Sequence, residues 1–196
     1  MRITVIIALV FLYACQGTPL KTEAGDIMKD SIAASKEYYP IPAFITEELK
    51  YAQENPTAIT RYITIGNKVD SGFVPYDTLE AFATAFMGID LNDATFKRDV
   101  VEKTFMDESI GLVTLSYTID NDKTPLRRAD ILVKEGEVKS KVNSIYLEKV
   151  AENNGTTTVK KLYWKSRQNC MVIEQETDAS GNEKMIQTKL VWNAGE

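Results

Sequence analysis

Two stretches of the chain repeat their hydrophobic residues at helical spacing. The first runs from Pro42 to Asn55, where apolar residues recur every three or four positions. Proline suits the first helical turn, and the proline that follows Asn55 cannot continue a helix. The second runs from Asp77 to Met87, with Asp77 placed as an N-cap. Its apolar face consists of Leu79, Phe82, Ala83 and Phe86.

Most of the remaining chain alternates apolar and polar residues with the period of two that is typical of half-buried strands. Residues 112–119 are the clearest case, because Leu115 and Tyr117 share a face with their apolar neighbours. Within residues 138–150 the apolar parity switches between Val142 and Ile145, which predicts a β-bulge or a bend. The other predicted strands are residues 57–65, 69–76, 96–106, 127–134, 156–164, 170–177 and 185–192.

Helices that precede a run of successive strands indicate an α+β fold. We expect two early helices packed on a curved, mostly antiparallel sheet of about seven to eight strands. Residues 38–194 are long enough for a single domain of this kind. The amphipathic helix over residues 77–87 is expected to cover the buried face of the sheet.

The start of the chain has a different pattern, in which Arg2 is followed by an apolar run over residues 5–12. A run of this length is typical of a secretory signal. It is too short to span a bilayer, which takes about 20 apolar residues. Residues 1–14 are therefore predicted to be a signal peptide, and the polar residues 15–37 a flexible tether.

The apolar run ends in residues that resemble the lipobox of bacterial lipoproteins, namely Leu12, Tyr13, Ala14 and Cys15. The resemblance implies cleavage after Ala14 and attachment of a diacylglyceryl group to the thiol of Cys15. Tyr13 departs from the pattern, since a small residue is commoner there. The alternatives are an uncleaved anchor and an ordinary signal peptide with a chance cysteine. With lipid on Cys15, the membrane becomes a partner through an anchor that two or more acyl chains hold stably.

Net charge and cysteine content limit the partners and the thiol chemistry that the chain can have. The formal net charge of −5 argues against a nucleic-acid partner, which would require a basic surface. If Cys15 carries lipid, Cys170 has no intramolecular disulfide partner. We expect Cys170 to be a buried structural thiol, because it lies in an apolar run. A reactive thiol is the alternative, since Lys165 and Arg167 lie nearby.

The chain contains no histidine, which removes the commonest general base, the usual catalytic triads and most zinc sites. No serine nucleophile motif stands out either. We therefore expect a protein that is not an enzyme and that uses no cofactor and no metal. A hydrolase that works through carboxylates alone is the catalytic alternative, with Glu174 and Glu176 as its candidates. Their alternation along one strand favours the water-facing side of a hairpin.

The whole pattern resembles a family of uncharacterised lipoproteins from bacteria of the Bacteroidota type. The resemblance covers most of residues 38–193 and includes no diagnostic motif. It implies a location in the envelope and no reaction. We expect an outer-membrane lipoprotein that faces the periplasm. The sheet also resembles, more distantly, the open half-barrels of lipoprotein-carrier proteins. The segments that carry the first resemblance are residues 38–45, 57–65, 66–68, 82–86, 89–92 and 143–146 and the final hairpin.

Two functions fit besides the hydrolase. The first is a lipid-anchored, non-catalytic binding or assembly module with an envelope protein or a lipid ligand as its partner. The second is a carrier of acyl chains, lipids or lipoproteins, with a cavity between sheet and helix that an open pocket of roughly 300 Å³ or more would favour. The same residues would otherwise form a close-packed core. The residues expected to line such a cavity are Phe82, Phe86, Leu115, Tyr117, Tyr146 and Trp164.

Overall fold

The computed structural model describes residues 36–121, 124–134 and 141–193, without the side chain of Thr95. The predicted signal peptide, Cys15 and most of the predicted tether therefore lie outside the described residues. In the part of the chain that the structure describes, no helix has the length and hydrophobicity needed to cross a membrane.

The two predicted helices are present as α1 (Ile41–Glu54) and α2 (Tyr76–Met87). α2 begins directly after Pro75, so Asp77 lies in its first turn and is not the N-cap that the sequence predicted. A carboxylate in the first turn still suits the helix dipole. A third, one-turn helix, α3 (Ala94–Lys97), occupies the start of a predicted strand, which begins only at Val100.

One antiparallel sheet of nine strands contains every strand that the structure describes, in the order β2-β1-β9-β8-β7-β6-β5-β4-β3. The α+β class is confirmed, but the strand count exceeds the expected seven to eight. Each of the nine strands, including the mostly exposed edge strands β2 and β3, overlaps one of the nine segments that the sequence predicts, so the expected count is too low although the segments are located correctly. The strands are β1 (Ile59–Ile65), β2 (Lys68–Val74), β3 (Val100–Asp107), β4 (Leu112–Ile119), β5 (Leu126–Lys134), β6 (Val142–Asn153), β7 (Thr156–Lys165), β8 (Asn169–Thr177) and β9 (Glu183–Val191).

The hydrophobic core lies between the two long helices and one face of the sheet, which we call the helix face. Cross-strand pairing places five of its side chains in one row across the sheet, because directly paired residues share a face. That row is Ile131, Ile145, Trp164, Cys170 and Leu190, all of them buried. From the helices, the fully buried side chains are Ile41, Ile45, Leu79, Ala83 and Phe86.

The predicted β-bulge is present in β6. Leu132 pairs with Ser144, whereas the next residue of β5, Val133, pairs with Val142, so that Asn143 is the extra residue. The bulge returns Val142 to the helix face that Ile145 also occupies, which explains the switch in apolar parity.

Candidate functional site

Five of the six residues expected to line a cavity meet in the core between α2 and the sheet or at its margin. Phe86 and Trp164 are fully buried, and their rings pack edge to face with 5.3 Å between centroids and 83° between planes. Tyr117 is also buried, whereas Phe82 and Leu115 are partly buried and pack against this cluster. The geometry at Phe86 is that of a close-packed interior.

The sixth residue, Tyr146, lies on the opposite face of the sheet, because its neighbours in β6 point into the core. Its hydroxyl donates to Glu148 at 2.8 Å, and burial raises its pKa to about 12. Beside it, buried Asp130 accepts hydrogen bonds from Ser116 at 2.7 Å and from the guanidinium of Arg128 at 3.0 and 2.8 Å. The polar groups of this cluster pair with one another.

Three clefts lie along α1. The first is at the amino-terminal end of the helix, has a volume of about 330 Å³, and is the one to which Leu115 and Tyr117 contribute. Burial raises the pKa of Tyr39 and of Tyr117 to about 12. The ammonium of Lys36 binds Glu102 at 2.6 Å beside this cleft.

The second cleft, also about 330 Å³, lies at the middle of α1 and contains the buried carboxylate of Glu48. One oxygen of Glu48 accepts hydrogen bonds from the indole of Trp164 at 3.1 Å and from the backbone N–H of Arg167 at 2.6 Å. The other oxygen accepts from the hydroxyl of Ser166 at 2.7 Å. The guanidinium of Arg167 lies 4.5 Å from the ring centroid of Tyr51. Glu48 therefore fastens α1 to the β7–β8 turn.

The carboxylates considered as catalytic candidates lie on β8. Glu174 and Glu176 share the helix face with Cys170 by strand parity, but both are partly exposed. Glu174 forms an ion pair with Lys160 at 3.1 Å. Cys170 is fully buried, as predicted, and burial raises the pKa of its thiol.

The third cleft, which we call the Trp192 cleft, lies at the carboxy-terminal end of α1 and has a volume of about 380 Å³. Trp192 is buried, and its ring lies 5.3 Å from that of Trp164. Among the described residues, no acceptor binds the indole N–H of Trp192. The cleft is lined by Ala52, Gln53, Pro56, Thr57, Ala58, Ile59, Phe73, Val74, Tyr76 and Trp192. No lining residue carries a charge.

The end of α1 and several hydrogen bonds to backbone carbonyls hold the walls of this cleft in place. α1 ends before Pro56, and the hydroxyl of Thr57 donates to the carbonyl of Trp192. The backbone N–H of Trp192 in turn donates to the carbonyl of Gln168 at 3.1 Å. On the other side, the hydroxyl of Tyr76 donates to the carbonyl of Leu49 at 2.8 Å and joins α2 to α1.

Sequence reasoning missed both Glu48 and the Trp192 cleft. Glu48 occupied an apolar position in the helical repeat of α1, and a charged residue at such a position was the available signal. No comparable signal exists for the cleft, because its residues come from both helices and three strand ends.

Neither metal-ligand geometry nor similarity to known proteins identifies a function for the described part of the chain. Within the described ranges, no cluster of three or more histidine, cysteine or acidic side chains has the geometry to hold a metal ion. Comparison with protein-family models, curated proteins and solved structures found no match. The two resemblances therefore rest on the sequence pattern alone.

Proposed function

We propose that this chain is a lipid-anchored, non-catalytic binding module of the bacterial envelope that takes a small, uncharged, apolar ligand into the Trp192 cleft. The observation that carries the proposal is the composition of this cleft, which combines three aromatic side chains with no charged one. Its volume of about 380 Å³ falls in the range of small-molecule sites, which begins near 300 Å³.

Charge distinguishes the Trp192 cleft from the other two clefts along α1. The middle cleft is lined by Glu47, Glu48, Lys141 and Arg167, and the amino-terminal cleft by Glu37 and Glu102. A charged ligand entering the Trp192 cleft would lose its hydration without gaining an ion pair, which is costly. An uncharged ligand avoids that cost and gains contact with Phe73, which is 81% exposed and stands at the cleft.

The unpartnered indole N–H of Trp192 supports a ligand that carries a hydrogen-bond acceptor, such as the carbonyl of an acyl ester. A buried donor without a partner costs about 1–3 kcal/mol. A ligand whose acceptor reaches this N–H as the cleft adjusts would recover part of that free energy. The proposal thus favours a neutral acyl ester over a plain hydrocarbon or a fatty-acid anion.

The arrangement of buried carboxylates supports a non-catalytic role. Glu48 and Asp130 are the acidic residues classed as buried in the described part of the chain, and they lie on opposite faces of the sheet. A carboxylate pair that hydrolyses glycosidic bonds needs its two groups within about 5–10 Å across one cleft. Each of the two carboxylates is instead occupied by donors from its own surroundings.

The same cleft supports the alternative of a lipid carrier, which differs from a resident binding module in how quickly it exchanges its ligand. Carriage would place a single acyl chain in the Trp192 cleft and not between α2 and the sheet, where Phe86 and Trp164 pack closely. Transfer of a fluorescent acyl ester between two vesicle populations, accelerated by the protein, would favour the carrier over the module.

Occlusion of the cleft tests the proposal. Ala58 is exposed and lines the cleft, whereas Ala43 is an exposed residue of α1 outside it. In a chain that begins at Gln16 and carries no lipid, we expect the uncharged dye N-phenylnaphthylamine to bind and methyl palmitate to displace it. Ala58→Phe should weaken dye binding about tenfold or more, equivalent to about 1.4 kcal/mol. Ala43→Phe should leave it unchanged.

Equal affinities for the two variants would locate the dye elsewhere and contradict the proposed site. Displacement by palmitate anion as effective as that by its methyl ester would contradict the preference for an uncharged ligand. Circular dichroism of both variants serves as the control for folding.

A further inference from the structure

Exposed hydrophobic side chains collect at both edges of the sheet. On the β2 side, Val69 and Phe73 project from the edge strand. On the other side, four large apolar residues at least half exposed belong to β3 and the turn that follows it. We call this group the β3 edge, and it consists of Val101, Phe105, Met106 and Ile110.

The described chain begins at the β3 edge. The ammonium of Lys36, the first described residue, binds Glu102 of β3 at 2.6 Å. Two residues later, the ring of Tyr38 packs edge to face on Tyr117 of β4, with centroids 5.5 Å apart. These contacts fix the point at which the segment leading from Cys15 joins the domain.

We propose that the β3 edge contacts the lipid surface to which Cys15 is anchored. This inference rests on the lipid anchor of the proposed function and adds an orientation to it. The stretch from Cys15 to Lys36 can reach at most roughly 70 Å when fully extended, so the anchor alone leaves the domain free to turn. If the apolar β3 edge, which lies beside the attachment point, enters the membrane interface, the domain can no longer turn. Such insertion typically reaches a depth of about 5–10 Å.

The charges at this edge indicate which lipid surface it fits. Asp107 ends β3, and Glu108 follows it in the turn to β4, which also contains Ile110. The carboxylate of Asp107 accepts hydrogen bonds from the backbone N–H and the hydroxyl of Ser109. Two acidic side chains at the tip disfavour an anionic surface, so the β3 edge fits zwitterionic headgroups.

The proposed contact also determines where the Trp192 cleft lies relative to the bilayer. The cleft lies at the carboxy-terminal end of α1, whereas the chain enters the domain at the amino-terminal end. A helix of 14 residues is about 21 Å long, which separates the cleft from the attachment point by that distance. With the β3 edge against the bilayer, the cleft lies away from it, because β1 and β2, which line the cleft, are at the opposite edge of the sheet.

Site-specific fluorescence on the full, processed lipoprotein tests the contact, with the β2 side as the matched control. Cys170 is buried, so an added surface cysteine can be labelled selectively. Phe105→Cys and Val69→Cys each receive an environment-sensitive dye, and the proteins are reconstituted into phosphatidylcholine vesicles. Val69 is exposed on β2 and does not line the Trp192 cleft. We expect the dye at position 105 to shift to the blue and to be quenched by nitroxide lipids. The dye at position 69 should do neither.

Vesicle flotation in the same samples tests the lipid anchor separately from the membrane contact of the β3 edge. If the lipoprotein floats with the vesicles but positions 105 and 69 respond alike, the β3 edge does not contact the membrane although the anchor exists. If the processed protein does not float at all, the lipid anchor itself is wrong. A response at position 105 that appears only when a second protein is added would assign the edge to a protein partner and overturn the proposal. With the dye moved to Val101→Cys, Phe105→Glu should abolish the blue shift while the protein continues to float.

Discussion

Replacement of Glu48 by leucine tests whether one buried carboxylate holds α1 against the sheet. Glu48 is 6% exposed and accepts three hydrogen bonds from the end of β7 and the turn that follows it. Leucine has a similar size but offers no acceptor. The indole N–H of Trp164 would then be buried without a partner, whereas the partly exposed backbone N–H of Arg167 and hydroxyl of Ser166 can turn to water.

The expected loss follows from that donor. An unsatisfied buried donor costs about 1–3 kcal/mol, so we expect Glu48→Leu to lower the free energy of unfolding by about 2–3 kcal/mol. Glu48→Gln should cost about 1 kcal/mol, because its carbonyl oxygen can still accept the bonds from Trp164 and Arg167. Its amide can then donate to the hydroxyl of Ser166, which reverses the third bond.

Urea unfolding of a chain that begins at Lys36 measures these differences, with tryptophan fluorescence as the signal. The midpoint should fall while the slope m is unchanged, since the surface exposed on unfolding is the same. Glu47→Leu is the matched control, because Glu47 is exposed in the same cleft and its loss should stay within about 0.5 kcal/mol. Equal losses for Glu47→Leu and Glu48→Leu would refute the assigned role of Glu48.

Three further predictions concern the core and its titrating groups. Phe86→Ala should lower the free energy of unfolding by about 3–5 kcal/mol in the same urea assay, and a loss below about 1 kcal/mol would mean that the ring is not in the core. Cys170 should react with iodoacetamide only as fast as the protein unfolds, so rapid alkylation of the native protein would contradict its burial. Stability should fall as pH rises from about 10 toward 12, because unfolded tyrosines ionise near 10 whereas three folded ones have a pKa raised to about 12. The tyrosinate absorbance of those three residues, taken as the difference between the protein and each Tyr→Phe variant, should therefore rise in step with unfolding, and titration of any of them near pH 10 without unfolding would be inconsistent with the structure. The three residues are Tyr39, Tyr117 and Tyr146.

Local periodicity accounts for the parts of the fold that the sequence predicted well. Both long helices and the hairpin of β1 and β2 follow from spacing and from proline positions. The bulge at Asn143 follows from a change of parity within one strand. The one-turn helix α3 was not predicted, because four residues are too few for helical periodicity to appear.

Other features of the site depend on contacts between residues that are distant in sequence, which local periodicity cannot predict. Tyr146 is an exception, because Ile145 and Leu147 occupy the helix face and alternation alone assigns Tyr146 to the opposite face, against its expected place in the cavity lining. Glu48 faces the core because partners from a turn more than 100 positions away satisfy its carboxylate. Trp192 joins a cleft whose other walls come from α1, β1 and β2, a meeting that only the folded sheet order brings about.

The indole N–H resonances of the protein provide the most direct measurement of ligand binding in the Trp192 cleft. The chain has two tryptophans, and Trp164 donates to Glu48 whereas Trp192 has no acceptor among the described residues. Trp192→Phe assigns the two signals in a ¹⁵N-resolved spectrum of the unlipidated chain. On titration with methyl palmitate, we predict that the Trp192 signal moves downfield as it gains an acceptor while the Trp164 signal stays in place. A Trp192 signal that does not move at saturating ester, or equal movement of both signals, would contradict the proposed site.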